Sequence, residues 1–193
     1  MKFICIMLAG FIPFQVFAKS DWRCQELKSE QMRLALTASN LANLNSTRTP
    51  EGGAYKPYVI RACSNGGCDV QRDNKAPIMK YLPQHPDADK NGYVVYPNIN
   101  QKVEYASFNL TATKLKLLVA NKACGAKVII DNGNSSFALR YSGIGQPNVK
   151  EDIFNFDDRH QVVSWMRQDL KGASTTINFA ANGDVVSHSQ SEQ

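Results

Sequence analysis

The chain of 193 residues is short of the residues that most catalytic and metal sites need. Its three histidines, His85, His160 and His188, are scattered, so a histidine-rich metal site has no basis in the sequence. There is no Gly-x-Ser-x-Gly, no His-Glu-x-x-His and no glycine-rich phosphate cradle. Asp157-Asp158 beside Arg159-His160 reads as a solvated turn, and Glu151 and Asp169 have no recognisable partner. These absences argue against an enzyme, and no catalytic residue, cofactor or metal ligand is assigned. The charge is +5 and spread along the chain, with no basic tract to bind nucleic acid. After residue 18 no apolar run is long enough to span a membrane.

One apolar run does exist, at the start. Met1-Lys2 is a short positive end, Phe3 to Phe17 is mostly apolar, and Val16-Phe17-Ala18 offers small residues for cleavage after Ala18. Residues 1–18 therefore read as a secretory signal peptide. Pro13 and Gln15 interrupt the run, which counts against a membrane anchor. Cleavage removes Cys5 and leaves Cys24, Cys63, Cys68 and Cys124 in a mature chain without an anchor, periplasmic or secreted. In an oxidising compartment four cysteines favour disulfides over a zinc site. Cys-x4-Cys is also not a redox-active Cys-x-x-Cys.

Two helices are expected. Residues 20–44, capped by Ser20 or Asp21, carry Leu27, Leu34 and Leu41 every seven residues. Residues 98–124 carry Val103, Leu110, Leu117 and Cys124 at the same spacing, with Ala106, Thr113 and Ala120 between them. Phe108 and Leu115 lie off that stripe, facing either the C-terminal part of the chain or a neighbouring subunit. If the helices pack antiparallel, Leu41 meets Val103, Leu34 meets Leu110, Leu27 meets Leu117, and Cys24 meets Cys124 on the outermost rung. This predicts a Cys24–Cys124 disulfide closing the base of the pair, and leaves Cys63–Cys68 across Ser64-Asn65-Gly66-Gly67.

Between the helices, Tyr55–Ala62, Ile78–Leu82 and Gly92–Tyr96 have strand composition. Tyr55, Tyr58, Tyr81, Tyr93 and Tyr96 there serve either core packing or a partner surface. Beyond Gly125, strands are expected at 127–131 and 136–142 around Asn132-Gly133-Asn134, and at 175–180 and 184–188 around Asn182-Gly183. Residues 158–170 read as a short helix or another strand. The fold class is α+β. A rod of two antiparallel helices in a coiled coil carries a β-rich insertion (19–125 in all), followed by a small β-rich appendage, 126–193.

Two stretches are distinctive. The first runs Leu36-Thr37-Ala38-Ser39-Asn40-Leu41-Ala42-Asn43-Leu44-Asn45-Ser46-Thr47-Arg48-Thr49-Pro50-Glu51-Gly52-Gly53-Ala54-Tyr55. The second runs His85-Pro86-Asp87-Ala88-Asp89-Lys90-Asn91-Gly92-Tyr93-Val94-Val95-Tyr96-Pro97-Asn98-Ile99-Asn100. Together they resemble the flagellar basal-body rod protein family, closest to its proximal-rod members, over about residues 24–122. The resemblance singles out Ser39, Asn40, Ala42, Asn43, Arg48, Thr49, Pro50, Gly52, Gly53, Asp87, Asp89, Gly92 and Tyr93 as a structural motif. It explains Asp87-x-Asp89-x-Asn91-Gly92 as a turn rather than an EF-hand loop, whose twelfth position would here be Asn98 instead of Glu.

The resemblance implies an antiparallel helix pair, self-assembly, and partners among other rod or basal-body proteins. The secretory leader, the added C-terminal segment and a shortened middle region depart from the family pattern. The expected function is a structural component of, or accessory to, the flagellar rod. The alternative is a periplasmic binding or adaptor module that kept the rod fold and recognises its partner through residues 126–193.

Overall fold

The computed structural model describes residues 22–64, 66–121, 123–125, 127–131, 136–140 and 148–191. The leader, the Ser20 and Asp21 caps and the Asn132-Gly133-Asn134 turn lie outside the described residues. The elements are α1 (Trp22–Ala42), β1 (Tyr58–Ser64), β2 (Gly67–Arg72), β3 (Ile78–Tyr81), β4 (Tyr93–Tyr96), α2 (Gln101–Ala120), β5 (Lys127–Asp131), β6 (Ser136–Arg140), β7 (Val149–Phe156), β8 (Val162–Asp169), β9 (Ser174–Phe179) and β10 (Val185–Ser191). A single 3-10 turn, Ala123–Gly125, follows α2. Among the described residues the chain is thus an α+β mixture whose strand pairs are antiparallel.

Helix α2 is bounded by asparagines at both ends. Asn100 accepts from the Val103 amide at 3.3 Å, satisfying one of the orphan donors of the first turn. At the other end the Asn121 side-chain amide donates to the Leu117 carbonyl at 2.8 Å. These caps make α2 shorter than the expected 98–124. The two helices touch along opposite directions. Cys24 is joined to Cys124. The Lys114 ammonium meets the buried Glu30 carboxylate at 2.9 Å, and Asn40 donates to Glu104 at 3.2 Å.

β1 and β2 form a hairpin with Cys63 opposite Cys68, and its bend lies against α1, where Arg33 reaches Cys63 Sγ at 3.3 Å. β3 and β4 form a second two-stranded ribbon. The six strands after α2 build one meander in the order β10-β9-β8-β7-β6-β5. Residues 158–170 therefore contribute a strand, the second of the two expected possibilities.

The core corrects the expected helix interface. Leu27, Leu34 and Leu41 of α1 are fully buried. Val103, Leu110 and Leu117 of α2 are not: they stand 61%, 60% and 59% exposed. The buried face of α2 is Tyr105, Phe108, Ala112, Leu115 and Val119, which also recur at spacings of three and four. The sheet supplies the physical reason. Its inner face carries Phe154, Trp165, Ile177 and Phe179, and the Phe108 ring lies 5.7 Å from Trp165 and 5.5 Å from Phe179. Only the bulky stripe of α2 fills the space between that face and α1, so the smaller stripe is turned outward.

The C-terminal strands pack on the same core as the helices. One contiguous core holds Leu27, Leu34 and Leu41 together with Phe108, Phe154 and Trp165. Polar contacts pin the seam: the Tyr105 hydroxyl donates to the Val162 carbonyl at 2.8 Å, and the Val162 amide donates to Asn109 Oδ1 at 2.6 Å. The β9–β10 turn rests on the same tyrosine. Gly183 has φ +84°, and a Cβ there would fall 2.3 Å from Tyr105 Cδ1, so both backbone and space require glycine. Buried Asp152 is satisfied by Arg167 at 2.8 and 2.9 Å and by the Trp165 indole at 3.1 Å.

Candidate functional site

The motif residues gather where α1 ends. Asn40 is 2% exposed and uses its whole amide. Its Nδ2 donates to the Tyr58 carbonyl at 2.9 Å and to Glu104 Oε1 at 3.2 Å. Its Oδ1 accepts from the Tyr58 amide at 2.8 Å and from the Tyr55 hydroxyl at 3.1 Å. One side chain thus ties the last turns of α1 to β1 and to the first turn of α2. Only an amide has two donors and an acceptor in that fork. Burial pushes the Glu104 carboxyl above its ordinary range, and the Asn40 hydrogen bond partly offsets this. Burial likewise raises the Tyr55 hydroxyl, against the hydrogen bond with Ser39 at 3.0 Å.

Asn43 closes the helix. Its amide donates to the Ser39 carbonyl at 2.9 Å, satisfying an orphan acceptor, while its Oδ1 accepts from Ser46 at 2.9 Å. The following Thr-Arg-Thr-Pro-Glu-Gly-Gly segment folds back on itself, with the Thr49 amide donating to the Gly53 carbonyl at 2.9 Å.

The two distinctive stretches meet at Asp87. Thr47 donates to Asp87 Oδ2 at 2.6 Å, and Arg48 reaches Oδ1 at 2.9 Å. Two residues on, Asp89 Oδ1 accepts from the Asn91 and Tyr93 amides, each at 2.8 Å. Both carboxylates are therefore committed to holding the turn. Gly92 completes it at φ +82°, where a Cβ would lie 2.7 Å from the Tyr81 ring. Ala42 and Pro50 make no polar contact that distinguishes them. Of the tyrosines, Tyr55 is buried, while Tyr81 and Tyr93 stand exposed on the β3–β4 ribbon and pack edge to face.

Asn40→Leu tests this junction. The substitution strands the Tyr58 amide and carbonyl and leaves the Glu104 carboxylate without its donor. We expect a loss of about 2–3 kcal/mol in urea unfolding. Asn43→Leu, at a half-buried position, should cost about 1 kcal/mol. Equal losses at the two positions would contradict the central role of Asn40.

The second feature is the outward face of α2. Val103, Ala106, Leu110, Thr113, Leu117 and Ala120 are all exposed, and no charged residue interrupts them. At its C-terminal end the face runs into a groove lined by Trp22, Leu117, Leu118 and Asn121 together with the charged Arg23, Glu26 and Lys114. Trp22 there is itself 65% exposed. Sequence reasoning found this stripe and placed it inside. Phe108 and Leu115, expected to face either the C-terminal part of the chain or a neighbouring subunit, are buried, and Phe108 packs on Trp165 and Phe179 of the C-terminal sheet. Among the described residues no helix is long and apolar enough to cross a membrane.

In sequence the chain is similar to flagellar basal-body rod proteins. Among these the similarity is to FlgC. The chain is 26% identical over 137 residues to the flagellar basal-body rod protein FlgC of Borreliella burgdorferi, covering 57% of this chain and 84% of that one. It is 29% identical over 130 residues to FlgC of Yersinia enterocolitica and 28% identical over 130 residues to FlgC of Salmonella typhimurium, covering 62% of this chain and 90% of theirs in each case. No family model matches the chain.

Proposed function

We propose that this protein is a structural component of the flagellar basal-body rod, or an accessory to it, acting by helix packing with copies of itself or with other rod proteins. The carrying observation is the charge-free outer face of α2 in a chain similar to FlgC. Exposed leucines at heptad spacing on an otherwise well-packed helix are costly in water and gain by burial against another helix. The protein has no catalytic role in this reading. A leader cleaved after Ala18 would deliver it to the periplasm, where Cys24–Cys124 and Cys63–Cys68 form.

The adaptor alternative, in which residues 126–193 do the recognising, is the weaker one. The inner face of the sheet is consumed by the core. Hydrogen bonds join polar side chains of neighbouring strands on exposed parts of the sheet: Asn155 to Ser164 at 2.7 Å, Asn178 to Ser187 at 2.9 Å, and Ser174 with Ser191 at 2.9 Å.

The test is a deletion strain complemented with the wild-type gene or with Leu117→Glu. We expect the wild-type protein to co-purify with basal bodies and restore motility, and the glutamate variant to do neither while its circular dichroism stays native. Normal motility in the deletion strain would exclude a role in the rod.

A further inference from the structure

The helix pair carries unlike apolar patches at its two ends. Where α1 stops and α2 starts stands the β3–β4 ribbon. Asp87 ties its connecting turn to Thr47 and Arg48 just after α1, and β4 leads through Pro97 into α2. Strand pairing sets Met79 beside Val95 and Tyr81 beside Tyr93, so these four side chains share one face of the ribbon. The opposite face carries Val94, which is fully buried, and Lys80, whose ammonium lies 4.1 Å from the centre of the Tyr96 ring. The face of Met79, Tyr81, Tyr93 and Val95 is thus the outer one. All four residues are exposed and none is charged. Such a face on a two-stranded ribbon is costly in water and gains by being covered.

About 30 Å away along the helices, at the base that Cys24–Cys124 closes, lies the groove of Trp22, Leu117 and Leu118. Its volume is about 410 Å³, within the range of pockets that bury a bound group. Charges of both signs line it: Arg23, Glu26 and Lys114. Lys114 is held by Glu30 at 2.9 Å, and the Arg23 guanidinium lies 5.9 Å from the centre of the Trp22 ring. A cationic or an anionic occupant would meet a like charge there. A neutral aromatic one meets none. Its rings are attracted by Arg23 and Lys114, and a tyrosine hydroxyl can donate to Glu26. The outer face of the ribbon has that chemistry: two tyrosines, a methionine and a valine.

We propose that copies of the chain join end to end, the outer face of the β3–β4 ribbon of one copy docking in the base groove of the next. The inference rests on reading the protein as a self-assembling rod protein, and it adds an axial contact to the lateral packing of α2. The two surfaces differ, so the contact is heterologous: the end copies keep one free groove and one free ribbon, and addition can continue. Val103 and Leu110 stay open to helix packing with neighbours, and only Leu117, at the foot of α2, is shared. Four side chains cover less than the roughly 800 Å² per partner of a standard interface. A single end-to-end contact is therefore weak and holds firmly only where lateral packing adds to it.

Sedimentation of the full chain over a rising concentration series tests it, in a Leu110→Glu background that silences the lateral face. This parent should form dimers and larger species as concentration rises. Adding Met79→Glu or Trp22→Glu, both at exposed positions and native by circular dichroism, should leave each protein monomeric. Mixed, the two should form one dimer and nothing larger, because the Met79→Glu protein keeps its groove and the Trp22→Glu protein keeps its ribbon. Self-association of the Trp22→Glu protein alone would mean ribbon against ribbon, and of the Met79→Glu protein alone groove against groove; either overturns the proposal. A parent that stays monomeric, in a chain whose wild type co-purifies with basal bodies and loses this with Met79→Glu, would overturn the second copy as occupant in favour of another rod protein and leave the rod function standing. The expected pairing pattern in a protein absent from basal bodies would uphold the end-to-end contact and overturn the rod function.

Discussion

Replacing both Cys24 and Cys124 with serine is expected to lower stability by about 3–5 kcal/mol, the largest single loss available at the base of the helix pair. The two cysteines are 100 residues apart in sequence and their Cα atoms are 4.8 Å apart in space. In the chain-entropy account, that cross-link removes the freedom of nearly the whole region from the start of α1 to the end of α2 in the unfolded state. The same account sets a control. Cys63 and Cys68 are separated by 5 residues, and the β1–β2 pairing already holds them opposite each other. Their double serine variant should therefore lose no more than about 1–2 kcal/mol. Urea unfolding measures both. Removing the long bridge should also steepen the denaturant dependence, because the freed unfolded chain exposes more surface. Equal losses for the two bridges would mean that loop closure is not what the long one contributes.

How much of this could be read beforehand differs from element to element. Heptad spacing says which residues of two helices share a level, and it put Cys24 level with Cys124. It does not say which way a helix is turned. Helix α2 offers two stripes with the same spacing, one through Leu110 and one through Phe108. Choosing between them requires knowing that an aromatic sheet face lies alongside, and that sheet forms from residues far along the chain. Propensity alone also left residues 158–170 open, because Val162, Val163 and Trp165 suit a strand or a short helix equally. The antiparallel ladder to β7 and β9 decided it.

The motif junction was legible as a set of positions and not as a mechanism. Nothing in Ser-Asn-Leu-Ala-Asn states that Asn40 serves three elements while Asn43 serves only the helix end. That division follows from Tyr58 and Glu104, which are brought to Asn40 by the hairpin and by α2. The pairing of Thr47 and Arg48 with Asp87 is likewise invisible in a linear reading, since 40 residues separate Thr47 from Asp87. What the spacing of Asp87, Asp89 and Asn91 did suggest was a choice between a cation loop and a turn. The carboxylates are occupied by a threonine, an arginine and backbone amides, which is the chemistry of a turn.

Phe108→Ala should cost about 3–5 kcal/mol and, more tellingly, should weaken the whole chain at once. Phe108 is fully buried, and its ring lies 6.4 Å from Phe154, 5.7 Å from Trp165 and 5.5 Å from Phe179. Truncation opens a cavity walled on one side by the sheet and on the other by the helix pair. Neither wall can collapse into it without dragging Tyr105, whose hydroxyl is fixed to Val162. If the C-terminal strands were an independent appendage, the far-ultraviolet helical signal and the Trp165 fluorescence of a Trp22→Phe background would melt separately, and the substitution would move only one of them. Because one core spans both, the two signals should fall together and shift together. Leu110→Ala is the counterpart on the same helix, two residues further along and 60% exposed. It should change stability by less than about 0.5 kcal/mol. Phe108 and Leu110 thus separate what holds the monomer together from what its outer face is for.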